Sequence, residues 1–136
     1  MNKLEYIPGD IVKIEYGEAT GKIGFVTNTF LRRKGCYSLV VFIGKGFQGS
    51  SKDDWIQTYN DEVSPIPLTP EILKKNGWEK LYEKSFEKNV NNIRLTIELS
   101  ENIYVAINRI FIMEIRYIHE LQHLLFGLGI NHKMEV

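Results

Sequence analysis

The residues with the clearest chemical potential lie near the C-terminus, where residues 117–129 read YIHELQHLLFGLG. Within this stretch His119, Glu120 and His123 form an H-E-x-x-H pattern. On a helix, two histidines at this spacing can bind one zinc ion, and the glutamate can act on a zinc-bound water. The pattern therefore predicts, as one alternative, a zinc-dependent hydrolase with His119 and His123 as ligands and Glu120 as general base.

The residues around this pattern argue against zinc. Phe126 and Gly129 stand where the extended motif has a glycine and a third histidine, and His132 and Glu135 lie in a tail expected to be mobile. The apolar residues share one helix face: Ile118, Leu121, Leu124, Leu125 and Leu128. The three motif residues then fall on the opposite, solvated side. We therefore expect no metal, no cofactor and no catalytic residue, and a helix that packs on a sheet.

A second candidate site is the basic run Arg32, Arg33 and Lys34, which lies between two predicted strands and close to Phe30 and Tyr37. A basic hairpin tip beside aromatic rings can contact phosphates and stack a base, as in nucleic-acid binding. The alternative is an ordinary soluble turn, because charges elsewhere in the chain offset these three.

Composition limits the classes of function. The 136 residues include 17 basic and 17 acidic side chains, so no net charge draws the chain to nucleic acid or to anionic membranes. A hydrophobic fraction of 43% is enough for a folded core. No apolar run approaches the roughly 18 residues of a spanning helix, and the N-terminus has no signal-like apolar stretch. With a single cysteine, Cys36, we expect a cytoplasmic protein without a membrane segment.

The first half of the chain consists of short β-type runs separated by glycines, typical of a small antiparallel sheet or barrel. Residues 12–26, VKIEYGEATGKIGFV, resemble the KOW motif of SH3-like barrels in ribosomal proteins and transcription elongation factors. We expect its glycines to provide positive φ angles or a close backbone approach. The resemblance implies an SH3-like barrel that binds RNA or protein.

The second half begins after Pro65 and Pro67, which end the first sheet. Thr69, Pro70 and Gly77 predict a short helix with its N-cap, first residue and C-terminal glycine. Residues 78–90 favour strand or irregular structure. Clean alternation over residues 93–99 predicts a strand, and two further strands follow, although residues 110–117 could instead belong to one long helix capped by Asn108.

These elements predict an α+β, mainly β, protein with two domains. Residues 1–67 would form a KOW-like SH3-type β-barrel, and residues 68–136 a short helix, a three-stranded antiparallel sheet and a C-terminal amphipathic helix. Each half alone would bury a marginal core, which favours packing together or forming a homo-oligomer.

The segments PIPLTPEILKKNGW and EIRYIHELQHLLFGLG resemble a family of short uncharacterised proteins from bacterial and phage-like genomes. In that family a barrel-like N-terminal part leads into a similar proline-rich segment and a C-terminal helix. Glutamine and asparagine often stand there at the positions of Glu120 and His123, which implies that the H-E-x-x-H pattern is incidental. We therefore expect a non-enzymatic binding or assembly module whose partner is nucleic acid or protein, with the zinc hydrolase as the alternative.

Overall fold

The structure of the protein is a computed structural model that describes residues 6–31, 37–44 and 55–136. Contacts between residues divide the chain into two compact units, Met1–Ile66 and Pro67–Val136. Within the described residues, each unit is built around one antiparallel sheet of five strands. None of the described helices is long and apolar enough to cross a lipid bilayer.

The sheet of the first unit contains β1 (Ile11–Ile14), β2 (Ile23–Leu31), β3 (Tyr37–Phe42), β4 (Trp55–Tyr59) and β5 (Val63–Ser64). A turn of 3-10 helix, Asn60–Glu62, connects β4 to β5. The strand order is β4-β3-β2-β1-β5. One face of this sheet carries the core, which contains Tyr6, Val12, Ile14, Ala19, Val26, Leu39, Val41 and Val63.

The predicted N-terminal SH3-like barrel is wrong. A barrel closes when the two outermost strands of the sheet pair with each other. In the described part of this unit β4 pairs with β3 and the two-residue β5 pairs with β1, so the sheet stays open. The spacing of the glycines indicates only where the chain turns sharply. Such turns occur in open sheets as well as in closed barrels.

The glycines of the KOW-like segment do adopt the conformations expected of them. Gly17 and Gly21 have φ angles of 88° and 90° in the turn between β1 and β2. Gly24 lies where β2 meets β3, and a Cβ there would overlap the carbonyl oxygen of Phe42 and lie 2.7 Å from Ile43 Cγ2. Only glycine allows this approach without movement of the neighbouring strand.

The second unit contains α1 (Pro70–Lys75), β6 (Glu79–Tyr82), β7 (Ser85–Val90), β8 (Ile93–Leu99), β9 (Ile103–Ile107), β10 (Ile110–Ile115) and α2 (Ile118–Gly127). Its strands follow one another in the order β10-β9-β8-β7-β6, a simple antiparallel meander. The apolar positions of the central strands are buried, among them Phe86, Leu95, Ile97 and Val105.

The predicted three-stranded sheet is also wrong, because β6 and β7 extend it to five strands. Residues 78–90, for which strand or irregular structure is expected, form the strand pair β6–β7, in which Phe86 is buried. The strand prediction for residues 110–117 is confirmed for residues 110–115. α1 also begins as predicted: Pro70 is its first residue, and the Thr69 hydroxyl accepts a hydrogen bond from Ile72 N–H at 3.3 Å.

Candidate functional site

The H-E-x-x-H residues lie in the first turns of α2, and the side chain of Glu120 caps the N-terminus of that helix. Its Oε1 accepts hydrogen bonds from the backbone N–H groups of Arg116, at 2.9 Å, and Tyr117, at 3.1 Å. Tyr117 is the N-cap residue of α2. Glu120 therefore acts as the glutamate of a capping box, satisfying backbone donors just before the helix.

His119 is buried, contrary to the expectation that the motif residues face solvent, and so is Gln122, which lies between the motif residues. His119 is only 7% exposed, and the side chain of Gln122 is fully buried. The His119 ring stacks on Tyr117 at a centroid distance of 5.9 Å and meets the His123 ring edge to face at 5.5 Å. The helix thus buries a wider arc than its leucines indicate.

The C-terminal tail, residues 130–136, explains part of this burial. Gln122 Nε2 donates a hydrogen bond to the His132 carbonyl oxygen at 2.9 Å, and the His132 ring meets Phe126 edge to face. The side chain of Asn76, at the end of α1, donates to the Glu135 carbonyl oxygen at 2.8 Å and accepts from Glu135 N–H at 2.7 Å. The tail expected to be mobile is instead docked on both helices.

The zinc alternative gains no third ligand from the described residues, which contain no cluster of three or more metal-capable side chains. Glu120, the proposed base, has its Oε1 engaged by two backbone donors. Zinc binding by His119 and His123 stays a prediction. The basic candidates Arg32, Arg33 and Lys34 lie outside the described residues.

A candidate site that the sequence did not indicate lies on the first unit's sheet. Phe25, Phe42 and Trp55 are paired side by side across β2, β3 and β4. The ring centroids are 5.4 Å apart between Phe25 and Phe42 and 4.7 Å apart between Phe42 and Trp55. We call these three residues the aromatic row. Phe42 is buried beneath its neighbours, whereas Phe25 is 43% and Trp55 44% exposed.

The aromatic row lies on the sheet face opposite the core, because its members alternate with core residues such as Val26 and Val41. Strand pairing places further residues on the same face: Phe30, Ser38 and Tyr59 in one row and Asn28, Val40 and Gln57 in another. No carboxylate occupies a described strand position of this face. Lys13 is there, and its Nζ lies 3.9 Å from the carboxylate of Glu15, just beyond β1.

A second such site lies at one end of the second unit's sheet, where the β7–β8 and β9–β10 turns lie together. It is an open surface pocket of about 480 Å³, which we call the turn-end pocket, lined by Asn89, Asn91, Asn92, Arg94, Asn108 and Arg109. Both turns contain two residues, and all four have positive φ angles: Asn91, Asn92, Asn108 and Arg109. Positive φ at both central residues defines type I′ hairpin turns.

Comparison of the chain with protein-family models, curated proteins and solved structures finds no match. The resemblance to the bacterial and phage-like family therefore stays a prediction, as does the binding of RNA or protein that the KOW-like segment implies. Together, the observations define a mainly β protein of two units, with an aromatic sheet face in one unit and a polar pocket in the other.

Proposed function

We propose that the protein is a binding module and that the aromatic face of its first unit binds single-stranded nucleic acid. The observation that carries the proposal is the aromatic row, in which two exposed rings flank a buried one. Exposed aromatic rings on a sheet can stack unpaired bases, and stacking is tolerant of sequence because every base has a π face.

The polar residues around the row support the same partner. Asn28 and Gln57 offer amide donors and acceptors on the same face, where the described strand positions carry no carboxylate to repel phosphate. The basic run Arg32, Arg33 and Lys34 follows β2 directly in the sequence. In this proposal the rings stack bases and the basic run contacts the phosphates, which overcomes the absence of a net positive charge.

The first test measures binding of a labelled single-stranded oligonucleotide of about 12 residues, as DNA and as RNA, by fluorescence anisotropy at low salt. We expect Trp55→Ala and Phe25→Ala each to weaken binding by about tenfold to a hundredfold, because a stacked base contributes about 1–3 kcal/mol. Tyr82→Ala, which removes an exposed aromatic residue of the second unit, is the matched control and should leave affinity unchanged.

A salt titration separates the contribution of the phosphate contacts from that of base stacking. Replacing Arg32, Arg33 and Lys34 by alanine should lower the slope of log affinity against log salt by about 2, since each phosphate contact contributes about 0.7 on a single strand. If neither oligonucleotide binds at low salt, the proposal is overturned, and a protein becomes the expected partner of the aromatic face. Unchanged affinity of Trp55→Ala would overturn it as well.

Self-association is a second candidate function, and the second unit carries the observation that favours it. β10 is an edge strand, and the consecutive residues Ile110, Phe111 and Ile112 are all exposed. Ile110 and Phe111 pair with successive residues of β9 and so lie on opposite faces of the sheet, and Ile112 lies at a β-bulge. Apolar surface on both faces of an edge is an arrangement that monomeric proteins usually avoid. We propose that a second copy of the chain covers this edge.

Analytical ultracentrifugation tests self-association directly. We expect the wild-type protein to sediment as a dimer and Phe111→Lys to sediment as a monomer. Tyr82→Lys is the matched control, because Tyr82 is an exposed aromatic residue on β6, the opposite edge strand. A wild-type protein that stays monomeric at all accessible concentrations would contradict this candidate.

A further inference from the structure

The turn-end pocket is lined entirely by side chains that donate hydrogen bonds. Four of its six residues are asparagines and two are arginines, so every lining side chain offers N–H donors and none is a carboxylate. Its volume, about 480 Å³, is within the range of small-molecule sites, and is far larger than a water site. A lining rich in donors and positive charge selects an anion.

The two arginines are held differently. Arg94 Nε lies 2.7 Å from Glu87 Oε1, and Glu87 is the more buried partner of the pair. This ion pair fixes the orientation of the Arg94 guanidinium and offsets its charge. Arg109 has no carboxylate partner among the residues that the structure describes, so its charge is uncompensated there.

The backbone conformation at Arg109 is also unfavourable for an arginine. Its φ angle is 71°, at the second central position of the type I′ turn between β9 and β10. Glycine is the preferred residue there, since a side chain in the left-handed region meets its own backbone. Asparagine tolerates this region, which accounts for Asn91, Asn92 and Asn108. The turn itself does not account for an arginine, and residues held in unfavourable backbone conformations are found preferentially at functional sites.

We propose that the turn-end pocket binds a phosphate group carried by a small molecule of nucleotide size. The planar guanidinium of Arg109 matches the paired oxygens of a phosphate, and the asparagine amides donate to its remaining oxygens. The volume beyond the phosphate accommodates the attached group. This site belongs to the second unit and does not depend on the aromatic face of the first.

The test is isothermal titration calorimetry with three probes: inorganic phosphate, adenosine monophosphate and adenosine. We expect the monophosphate to bind most tightly, inorganic phosphate more weakly and adenosine not at all. Binding of inorganic phosphate as tight as that of the monophosphate would support phosphate recognition and assign the free anion as ligand. Equal binding of adenosine and the monophosphate would overturn the proposal, as would absence of binding by all three.

Arg109→Gly separates binding from folding. It should weaken phosphate binding by about tenfold to a hundredfold, since it removes a charge-assisted hydrogen bond. The same change should raise the thermal midpoint by about 4–8 °C, because it relieves the left-handed arginine. Arg116→Ala, an exposed arginine outside the pocket, is the matched control and should change neither quantity. Unchanged affinity in Arg109→Gly, or a lowered thermal midpoint, would overturn the proposal.

Discussion

Asn108 is hydrogen-bonded to both backbone groups of Arg94. Its N–H donates to the Arg94 carbonyl oxygen at 2.8 Å, and its side-chain Oδ1 accepts from Arg94 N–H at 2.9 Å. The turn between β9 and β10 is thereby attached to the beginning of β8. Asn108 has a φ angle of 50°, so one residue provides both the left-handed turn and the attachment.

Two substitutions at Asn108 should separate these contributions. Asn108→Gly keeps the turn conformation and loses the side-chain hydrogen bond, which should lower the free energy of unfolding by about 1 kcal/mol. Asn108→Ala loses the same bond and adds left-handed strain, for a total of about 2 kcal/mol or more. Urea denaturation of the two variants measures the difference. Equal stability of the glycine and alanine variants would show that strain contributes nothing at this turn.

Substitution by alanine should change the free energy of unfolding in opposite directions at two glycines. Gly24→Ala places a methyl group against the Phe42 carbonyl oxygen and should lower the free energy of unfolding of the first unit by about 1–3 kcal/mol. Gly127→Ala adds a methyl group to α2, where a Cβ meets nothing within 4 Å. That change should raise stability by about 0.5–1 kcal/mol. Denaturation curves for both variants test the prediction, and destabilisation of similar size at the two positions would contradict it.

The docking of the C-terminal tail should depend on the amide of Asn76. Asn76→Asp keeps an acceptor for Glu135 N–H and loses the donor to the carbonyl oxygens of Ile72 and Glu135. We expect faster amide hydrogen exchange across residues 130–136 in this variant, with the central strand β8 unaffected. Lys74→Ala at the same end of α1 serves as the control. Unchanged exchange in the tail would mean that other contacts hold it.

Two substitutions at Glu120 test whether its side chain caps α2. Glu120→Gln retains the Oε1 atom that accepts both backbone hydrogen bonds and should leave stability nearly unchanged. Glu120→Ala removes the acceptor and should lower the free energy of unfolding by about 1 kcal/mol. Thermal denaturation of both variants provides the measurement.

Elemental analysis of the purified protein tests the zinc alternative at the same helix. We expect no stoichiometric zinc, and equal metal content in the wild-type protein and His123→Ala. Stoichiometric zinc that disappears in a folded His123→Ala variant would instead establish the metal site.

The sequence predicted features that depend on neighbouring residues. The beginning and end of α1 follow from Thr69, Pro70 and Gly77, because a helix cap involves only a few consecutive residues. Strand β8 was predicted from the alternation of its apolar residues. The conformations of Gly17, Gly21 and Gly24 were also anticipated.

Features that depend on distant residues were not predicted. Whether the first sheet closes is decided by its outermost strands β4 and β5, which local glycines do not determine. Burial of His119 and Gln122 was missed because the helix buries a wider arc than its leucines indicate, and the returning tail contacts Gln122.

The candidate sites were missed for the same reason. The aromatic row exists because strand register brings Phe25, Phe42 and Trp55 together, and no spacing along the sequence reveals that register. The dipeptide Asn91-Asn92 was the one available signal for the turn-end pocket, since asparagine pairs favour type I′ turns.

The attachment of Glu135 to Asn76 has a consequence for biosynthesis. The two residues are 59 positions apart, so the end of α1 reaches its final arrangement only after the ribosome has released residue 135. The last strand of the first unit, Val63–Ser64, leaves the ribosome much earlier. We therefore expect vectorial folding during translation, in which the first sheet assembles while the second unit still awaits its final contacts.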